Sequence, residues 1–283
     1  MAVALKGKEV AEQLKEKAGE LLAGLGGYQP TLAIVRVGEK PDDISYERGA
    51  AKRAAAFGLA VKSCVFPADI TQEAFLEEFD KLNACEEVDG ILVLKPLPKQ
   101  LSEQEMERRI DWRKDVDGIS PVNAAKIFAG SKDGFAPCTA QAVMEVLHHY
   151  RLPVEGKRAV VVGRSMVVGR PLAMLLLQEN ATVTICHTRT KDLAAVCREA
   201  DILVAAAGQA KMLHEDFVRE GAVVLDVGIH VAEDGSMCGD VDYAAISETA
   251  AMATPVPGGI GAVTTAVLCL HVIQAAKQRH KRG

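Results

Sequence analysis

The run Val160-Val161-Val162-Gly163-Arg164-Ser165-Met166-Val167-Val168-Gly169-Arg170-Pro171 constrains the fold more than any other stretch of this chain. Three consecutive valines predict a strand buried on both faces, as in a parallel sheet. Gly163 permits a tight turn, and Gly169 permits close backbone approach where a helix begins. Pro171 suits the first helical turn, where a missing N–H removes nothing, and residues 172–177 carry an apolar helix onward. Strand, glycine turn and helix N-terminus gather unpaired N–H groups and the positive end of the helix dipole at one point, which makes an anion site. The spacing departs from G-x-G-x-x-G, so a plain βα turn with two glycines is the alternative.

Residues 181–186 read as the next strand, ending at His187-Thr188-Arg189-Thr190. An NAD-binding unit places an acid there, about 20 residues after the glycines, for the ribose 2′-hydroxyl. None stands at that position. Thr188 and Arg189 do, and Arg164 and Ser165 lie in the turn. Cationic groups without a carboxylate suit a 2′-phosphate, so the pattern favours NADP over NAD. A solvated basic loop is the other reading.

The remaining pattern is repetitive. Helical periodicity over 8–25, strand 31–37, helix 46–57, strand 61–66, helix 72–83 and strand 90–94 alternate in the first half. Cys138-Thr139 opens a further helix with Thr139 as a plausible N-cap. After the 181–186 strand come a helix from Leu193, buried strands at 201–207 and 222–227, and a last helix over 262–277. Alternation at this spacing predicts an α/β protein: an N-terminal parallel α/β domain and a Rossmann-like domain, with right-handed crossovers. Ligands in such sheets bind at the C-terminal strand ends. That singles out the loops holding Tyr46, Lys95 and Asp117, and the Pro/Gly loop Thr254-Pro255-Val256-Pro257-Gly258-Gly259. Each also has a structural reading: an aromatic helix cap, a solvated edge charge, a turn and a rigid interdomain hinge.

Composition excludes several classes. A formal net charge of −5 over 283 residues offers no broad basic surface, so nucleic acid is not expected as a partner. The seven cysteines are scattered without a C-x-x-C pair, which suits a reduced, cytoplasmic protein rather than a disulfide or zinc framework. Residues 1–10 lack the apolar core of a leader, and no run suggests a membrane span or a membrane partner.

Read in order, these strings resemble the methylenetetrahydrofolate dehydrogenase/cyclohydrolase family. The likeness rests on Gly163-Arg164-Ser165-x-x-Val168-Gly169-x-Pro171, Lys114-Asp115-Val116-Asp117-Gly118, Pro137-Cys138-Thr139, Gly239-Asp240-Val241-Asp242 and the 254–259 loop, and it covers essentially the whole chain. The resemblance implies a folate-binding catalytic domain, residues 1–138 with the C-terminal helix 262–283, and an NADP-binding domain, residues 139–261, flanking a cleft. It implies a homodimer formed through the NADP domain, acting on tetrahydrofolate derivatives. By this similarity NADP lies along Gly163-Arg164-Ser165, with Thr188 near the 2′-phosphate and Ile229 at the nicotinamide end; Gly169 and Arg189 join the cofactor site on the turn and charge pattern above. Tyr46 matches the tyrosine that stacks on the folate, Asp117 the acid that holds the pterin, and Pro257, Gly258 and Gly259 the loop lining the substrate. Members oxidise 5,10-methylenetetrahydrofolate with NADP, and most hydrolyse the methenyl product to 10-formyltetrahydrofolate.

The chain departs from the family where hydrolysis is concerned. The family pattern Tyr-x-x-x-Lys reads Tyr46-Glu47-Arg48-Gly49-Ala50 here, and the family glutamine before the Leu-Pro-Leu-Pro turn is Leu94, followed by Lys95. Lys52 is a poor replacement, since two residues along a helix turn about 200°. Ala140 and Ala262 stand where the family usually has proline. The expectation is a working dehydrogenase with weak or absent cyclohydrolase activity, its candidate catalytic residues being Tyr46 and Lys95. The alternatives are a non-catalytic folate- or nucleotide-binding paralogue, and an NADP oxidoreductase of the same architecture with another substrate.

Overall fold

The computed structural model describes residues 1–232 and 234–280. The chain opens with β1 (Val3–Ala4), α1 (Gly7–Ala23), β2 (Thr31–Val37), α2 (Pro41–Ala56), β3 (Ala60–Phe66), α3 (Gln72–Ala84) and β4 (Gly90–Val93). Two short helices, α4 (Glu103–Arg109) and α5 (Pro121–Phe128), lead to α6 (Cys138–His149). There follow β5 (Arg158–Val162), α7 (Gly169–Gln178), β6 (Thr182–Cys186), α8 (Leu193–Cys197), β7 (Ile202–Ala205) and β8 (Val223–Asp226). The chain then forms the hairpin β9 (His230–Val231) and β10 (Met237–Cys238), α9 (Tyr243–Ile246), β11 (Met252–Ala253) and α10 (Ile260–His280).

Two compact units result. One joins Met1–Glu12 to Thr139–Thr264, and the other joins Gln13–Cys138 to the chain from Thr265 onward. Residues 1–12, expected with the first domain, therefore belong with the second. The reason is pairing: β1 runs parallel to β11 at the sheet edge, Val3 opposite Met252 and Ala4 opposite Ala253. A two-residue strand carries no periodicity, so local sequence gives no sign of it. Of the C-terminal helix assigned to 262–283, residues 281–283 lie outside the described residues.

In the unit built on Gln13–Cys138, the parallel sheet has the order β3-β2-β4. β2 is central, and Leu32, Ala33, Ile34 and Val35 are fully buried, which accounts for its unbroken apolar run. Phe75 and Phe79 of α3 stack at 5.8 Å beneath the sheet, with Phe66 edge-on to Phe75 at 5.6 Å. α2 begins at Pro41, five residues before the expected start. Pro41 is preset for a first helical position, and Asp42 and Asp43 complement the positive helix end, so the polar residues 41–45 form the start of the helix.

In the other unit, six parallel strands run in the order β1-β11-β8-β7-β5-β6. From β5 the chain steps to β6 on one side and later to β7 on the other, so the carboxyl end of β5 is a topological switch point. The glycine turn sits there. Gly163 has φ +133°, and a Cβ on it would lie 2.0 Å from the Ala206 carbonyl oxygen. A Cβ on Gly169 would lie 2.1 Å from the Gly163 carbonyl oxygen. Both glycines are thus required by backbone against backbone, and α7 starts at Gly169 as expected. α6 starts at Cys138, two residues before the start that a Thr139 cap implies, which puts Thr139 inside the first turn rather than at the cap.

α10 corrects one further expectation. It is long and apolar enough by composition to cross a bilayer, yet most of its apolar window is buried inside the protein. Val263, Ala266, Val272, Ile273 and Ala276 are completely buried, as in the core helix of a globular protein.

The tightness of the turn is testable. Gly169→Ala should cost about 1–3 kcal/mol of stability through overpacking strain and so lower the urea midpoint, because the obstructing atom is backbone and cannot rotate away. A midpoint equal to that of the native protein would show that the turn has slack.

Candidate functional site

The loop bearing Asp117 is held by its neighbours. Lys114 is buried and its Nζ donates to the carbonyl oxygens of Asn83 and Cys85, both at 2.6 Å. Asp115 is completely buried and its carboxylate accepts from Ile119 N (2.9 Å), Ser120 N (2.7 Å) and Asn123 Nδ2 (2.8 Å). Asn123 in turn accepts from Phe135 N at 3.1 Å. Ser120 caps α5, its Oγ accepting from Asn123 N, with Pro121 in the first turn. Gly118 has φ +65°, and a Cβ there would stand 2.6 Å from the backbone of residues 135–137. Residues 114–118 and 135–138 are therefore one interlocked structure.

Two side chains meet at the carbonyl of Val116, next to Asp117; of these His271 has no individual signal in the sequence. His271 of α10 contacts the Val116 carbonyl oxygen through Nδ1 at 2.8 Å, and the Cys138 thiol donates to that same oxygen at 3.2 Å. Burial pushes the Asp117 carboxyl up to about 6; the Cys138 thiol opposes the rise, the Asp115 charge adds to it, and the Lys95 charge opposes it. Tyr46, 47% exposed, has its hydroxyl raised to about 12 by partial burial, then by the Asp117 charge and the thiols of Cys138 and Cys269. Tyr46 and Asp117 thus share one local environment. Burial also raises both thiols, Cys269 to about 12, so neither is a nucleophile at neutral pH.

α2 carries Tyr46, and its rotation is fixed by Glu47. That carboxylate takes the Arg36 Nε at 2.6 Å and the Ser63 hydroxyl, tying the helix to β2 and β3. Ala50 and Leu94 are both buried, and both present only hydrocarbon. Lys52 is exposed. Lys95 is close enough for its charge to act on Asp117, but its Nζ is held by Glu107 at 2.8 Å.

In the other unit the residues of the glycine turn form a second candidate site. β5 and β6 are adjacent, Val162 opposite Cys186, so the loops that follow them are neighbours. Ser165 Oγ accepts from Val168 N at 3.1 Å and shapes the turn into α7. The 187–190 turn is closed by His187 N donating to Thr190 Oγ1 at 2.9 Å, and Arg189 N donating to His187 Nδ1 at 3.1 Å. Arg164, Ser165, Thr188 and Arg189 are exposed, and neither guanidinium has an ion-pair partner among the described residues. A glycine cradle that any Cβ would fill, at a helix N-terminus beside two unpaired cations, fits a phosphorylated dinucleotide.

Two buried carboxylates organise the rest of that unit. Asp240 accepts from Ala207 N (2.6 Å), Gly208 N (2.9 Å) and Gln209 N (3.0 Å), and pairs with His230 Nε2 at 2.7 Å. Asp226, whose carboxyl burial pushes up to about 6, accepts from Asp240 N, Val241 N and Gly228 N. Its own N–H donates to Thr254 Oγ1 at 2.7 Å. These bonds gather Ile229, Met237, Pro257, Gly258 and Gly259 around a cavity of about 250 Å³. The cavity brings together Ile229 and the Pro/Gly loop, which lie far apart in sequence. Among the described residues no group of His, Cys, Asp and Glu is placed to hold a metal ion.

The raised Asp117 carboxyl has a thermodynamic signature. Folding holds its proton more tightly than the unfolded chain does, where the value is about 3.9. Its stabilising contribution is therefore complete below about pH 4 and is lost as pH rises through about 6. Asp117→Asn does not titrate, so its urea midpoint should gain on the native one between pH 4 and 7 and then level off. A difference independent of pH would contradict the buried carboxyl.

Comparison with known proteins agrees with this geometry. Residues 5–117 match the family profile described as the tetrahydrofolate dehydrogenase/cyclohydrolase catalytic domain, and residues 137–280 the one described as its NAD(P)-binding domain. The chain is 51% identical over 282 residues to the bifunctional protein FolD of Alkaliphilus oremlandii, covering 99% of each. It is 49% identical to that of Clostridioides difficile, covering 98% of each. Among solved structures, the bifunctional FolD methylenetetrahydrofolate dehydrogenase/cyclohydrolase of Campylobacter jejuni superposes with a TM-score of 0.96 at 38% identity, over 99% of this chain and 100% of that one. The Trypanosoma brucei N5,N10-methylenetetrahydrofolate dehydrogenase-cyclohydrolase, solved with NADP cofactor and an inhibitor, gives 0.89 at 35% identity, over 100% and 99%. With a two-domain α/β fold and both of its halves matched, this chain belongs to the tetrahydrofolate dehydrogenase/cyclohydrolase family.

Proposed function

We propose that this chain oxidises 5,10-methylenetetrahydrofolate to 5,10-methenyltetrahydrofolate with NADP as the acceptor, and hydrolyses the methenyl product slowly or not at all. The dehydrogenase half is supported by family membership together with the Tyr46–Asp117 environment. Tyr46 presents a half-exposed aromatic face for stacking. Asp117, ionised above about pH 6, accepts hydrogen bonds from an amino-pyrimidine edge. In the other unit Gly163, Ser165 and Gly169 would cradle the pyrophosphate, Arg164, Thr188 and Arg189 would hold the 2′-phosphate, and Ile229, Pro257, Gly258 and Gly259 would line the reacting end. Bound NADP supplies the hydride-accepting ring; the protein's part is to orient the substrate carbon and exclude water. In this reading the Gln13–Cys138 unit holds folate, the Thr139–Thr264 unit holds NADP, and two copies associate through the latter.

The observation that carries the hydrolase half is the pair Ala50 and Leu94. Attack of water on the methenyl cation needs a group to manage protons, commonly worth about 10²–10⁴-fold. Ala50 and Leu94 are buried hydrocarbon, and the amine of Lys95, whose charge acts on Asp117, is engaged by Glu107. The double variant Ala50→Lys with Leu94→Gln should raise methenyl hydrolysis about tenfold or more, leaving methylene oxidation within a few-fold of native. Unchanged hydrolysis in a variant that still oxidises the substrate would remove these two positions as the cause.

A further inference from the structure

We propose that Arg53 is a substrate-binding residue of the Tyr46–Asp117 site, reaching back over Ala50 to donate hydrogen bonds to a carbonyl or carboxylate oxygen of the bound folate. The assignment rests on the folate reading above.

Helix geometry makes the first argument. Arg53 follows Tyr46 by seven residues, about 700° of rotation, so the two point within about 20° of each other, separated by about 10.5 Å along the axis. Ala50 lies between them along the axis, about 40° around the helix from Tyr46 and about 60° from Arg53. Side chains on a helix lean toward its N-terminus and cover the turn before their own Cα. For Arg53 that turn belongs to Ala50, which is buried and offers only a methyl group.

Two further observations converge. The charge of Arg53 acts on the thiol of Cys269, a buried residue of α10, and that same thiol bears on the Tyr46 hydroxyl. Cys269 is thus within electrostatic reach of both ends of the stripe. Arg53 is also half-buried, and its guanidinium has no hydrogen-bond or ion-pair partner among the described residues, whereas Arg36, Arg109, Arg113 and Arg279 of the same unit are each paired with a carboxylate. A cation withdrawn from water without a partner is costly, and an anionic or carbonyl-bearing ligand relieves that cost. The ordinary alternative is a charge in the last turn of α2 that complements the helix dipole; such a charge has no bearing on ligand affinity.

The chemistry of arginine also fits a divided function. A guanidinium remains protonated throughout the working pH range, so it supplies charge and directed donors but neither takes up nor releases a proton. Arg53 therefore restores substrate binding over Ala50 without restoring the proton handling that hydrolysis requires.

Calorimetric titration with tetrahydrofolate, and separately with NADP, tests the assignment. Arg53→Gln should weaken tetrahydrofolate binding about tenfold or more and leave NADP binding unchanged, with Arg53→Lys between native and Gln. A parallel titration with tetrahydropteroate, which lacks the glutamate, locates the acceptor. Equal losses for both ligands place it on the ring system or benzoyl group, and a loss confined to tetrahydrofolate places it on the tail carboxylate. If the native protein binds tetrahydrofolate and Arg53→Gln binds it equally well, the assignment of Arg53 is overturned and the folate reading stands. If the native protein binds no tetrahydrofolate, the folate reading falls and Arg53 with it.

Discussion

The candidate folate site depends on one completely buried carboxylate, that of Asp115. It accepts three hydrogen bonds from residues 119, 120 and 123. A buried charge is tolerated only when it is fully bonded, so those three donors must stay where they are, and the loop carrying Asp117 stays with them. The neighbouring Asp117 is thereby fixed in a partly buried position, where burial raises its carboxyl. The other unit uses the same device twice. Asp240 collects the N–H groups of residues 207–209, and Asp226 collects those of 228, 240 and 241. In both units a buried aspartate converts loose strand-end loops into fixed walls.

Rigid walls serve the two reactions unequally. Hydride transfer asks mainly that two carbons be held in line, and fixed loops provide that. Hydrolysis asks in addition for a mobile proton near the attacked carbon. In the Tyr46–Asp117 environment the phenol and both thiols are held protonated well above neutrality. Lys95 is committed to Glu107, and Arg53 does not release its proton. The groups assembled there suit binding and orientation better than proton transfer.

Much of this was legible in the sequence because it depends on local chemistry. Val160–Val162 with Gly163 and Gly169 specified strand, turn and helix, since only glycine fits where the Ala206 and Gly163 carbonyls approach. Tyr46 and Asp117 were found through motif strings, and the structure places them in one electrostatic environment. What sequence missed is long-range. β1 is two residues whose only identity is their pairing with β11. His271 is one histidine within an apolar helix, and nothing local shows that it contacts the Val116 carbonyl, 155 residues away. Asp115 stands out only as part of a motif string and Asn123 not at all, and their mutual bond appears only in the structure. Arg53 reads as a helix-end charge until its line with Tyr46 is counted out.

The most direct test of the account is a paired rate measurement on the native protein. With 5,10-methylenetetrahydrofolate and NADP supplied, the methenyl product should accumulate, its hydrolysis running about 100-fold or more behind its formation. Hydrolysis that keeps pace with oxidation, so that 10-formyltetrahydrofolate appears without a methenyl lag, would contradict the central claim that Ala50 and Leu94 have removed the proton-handling half of this site.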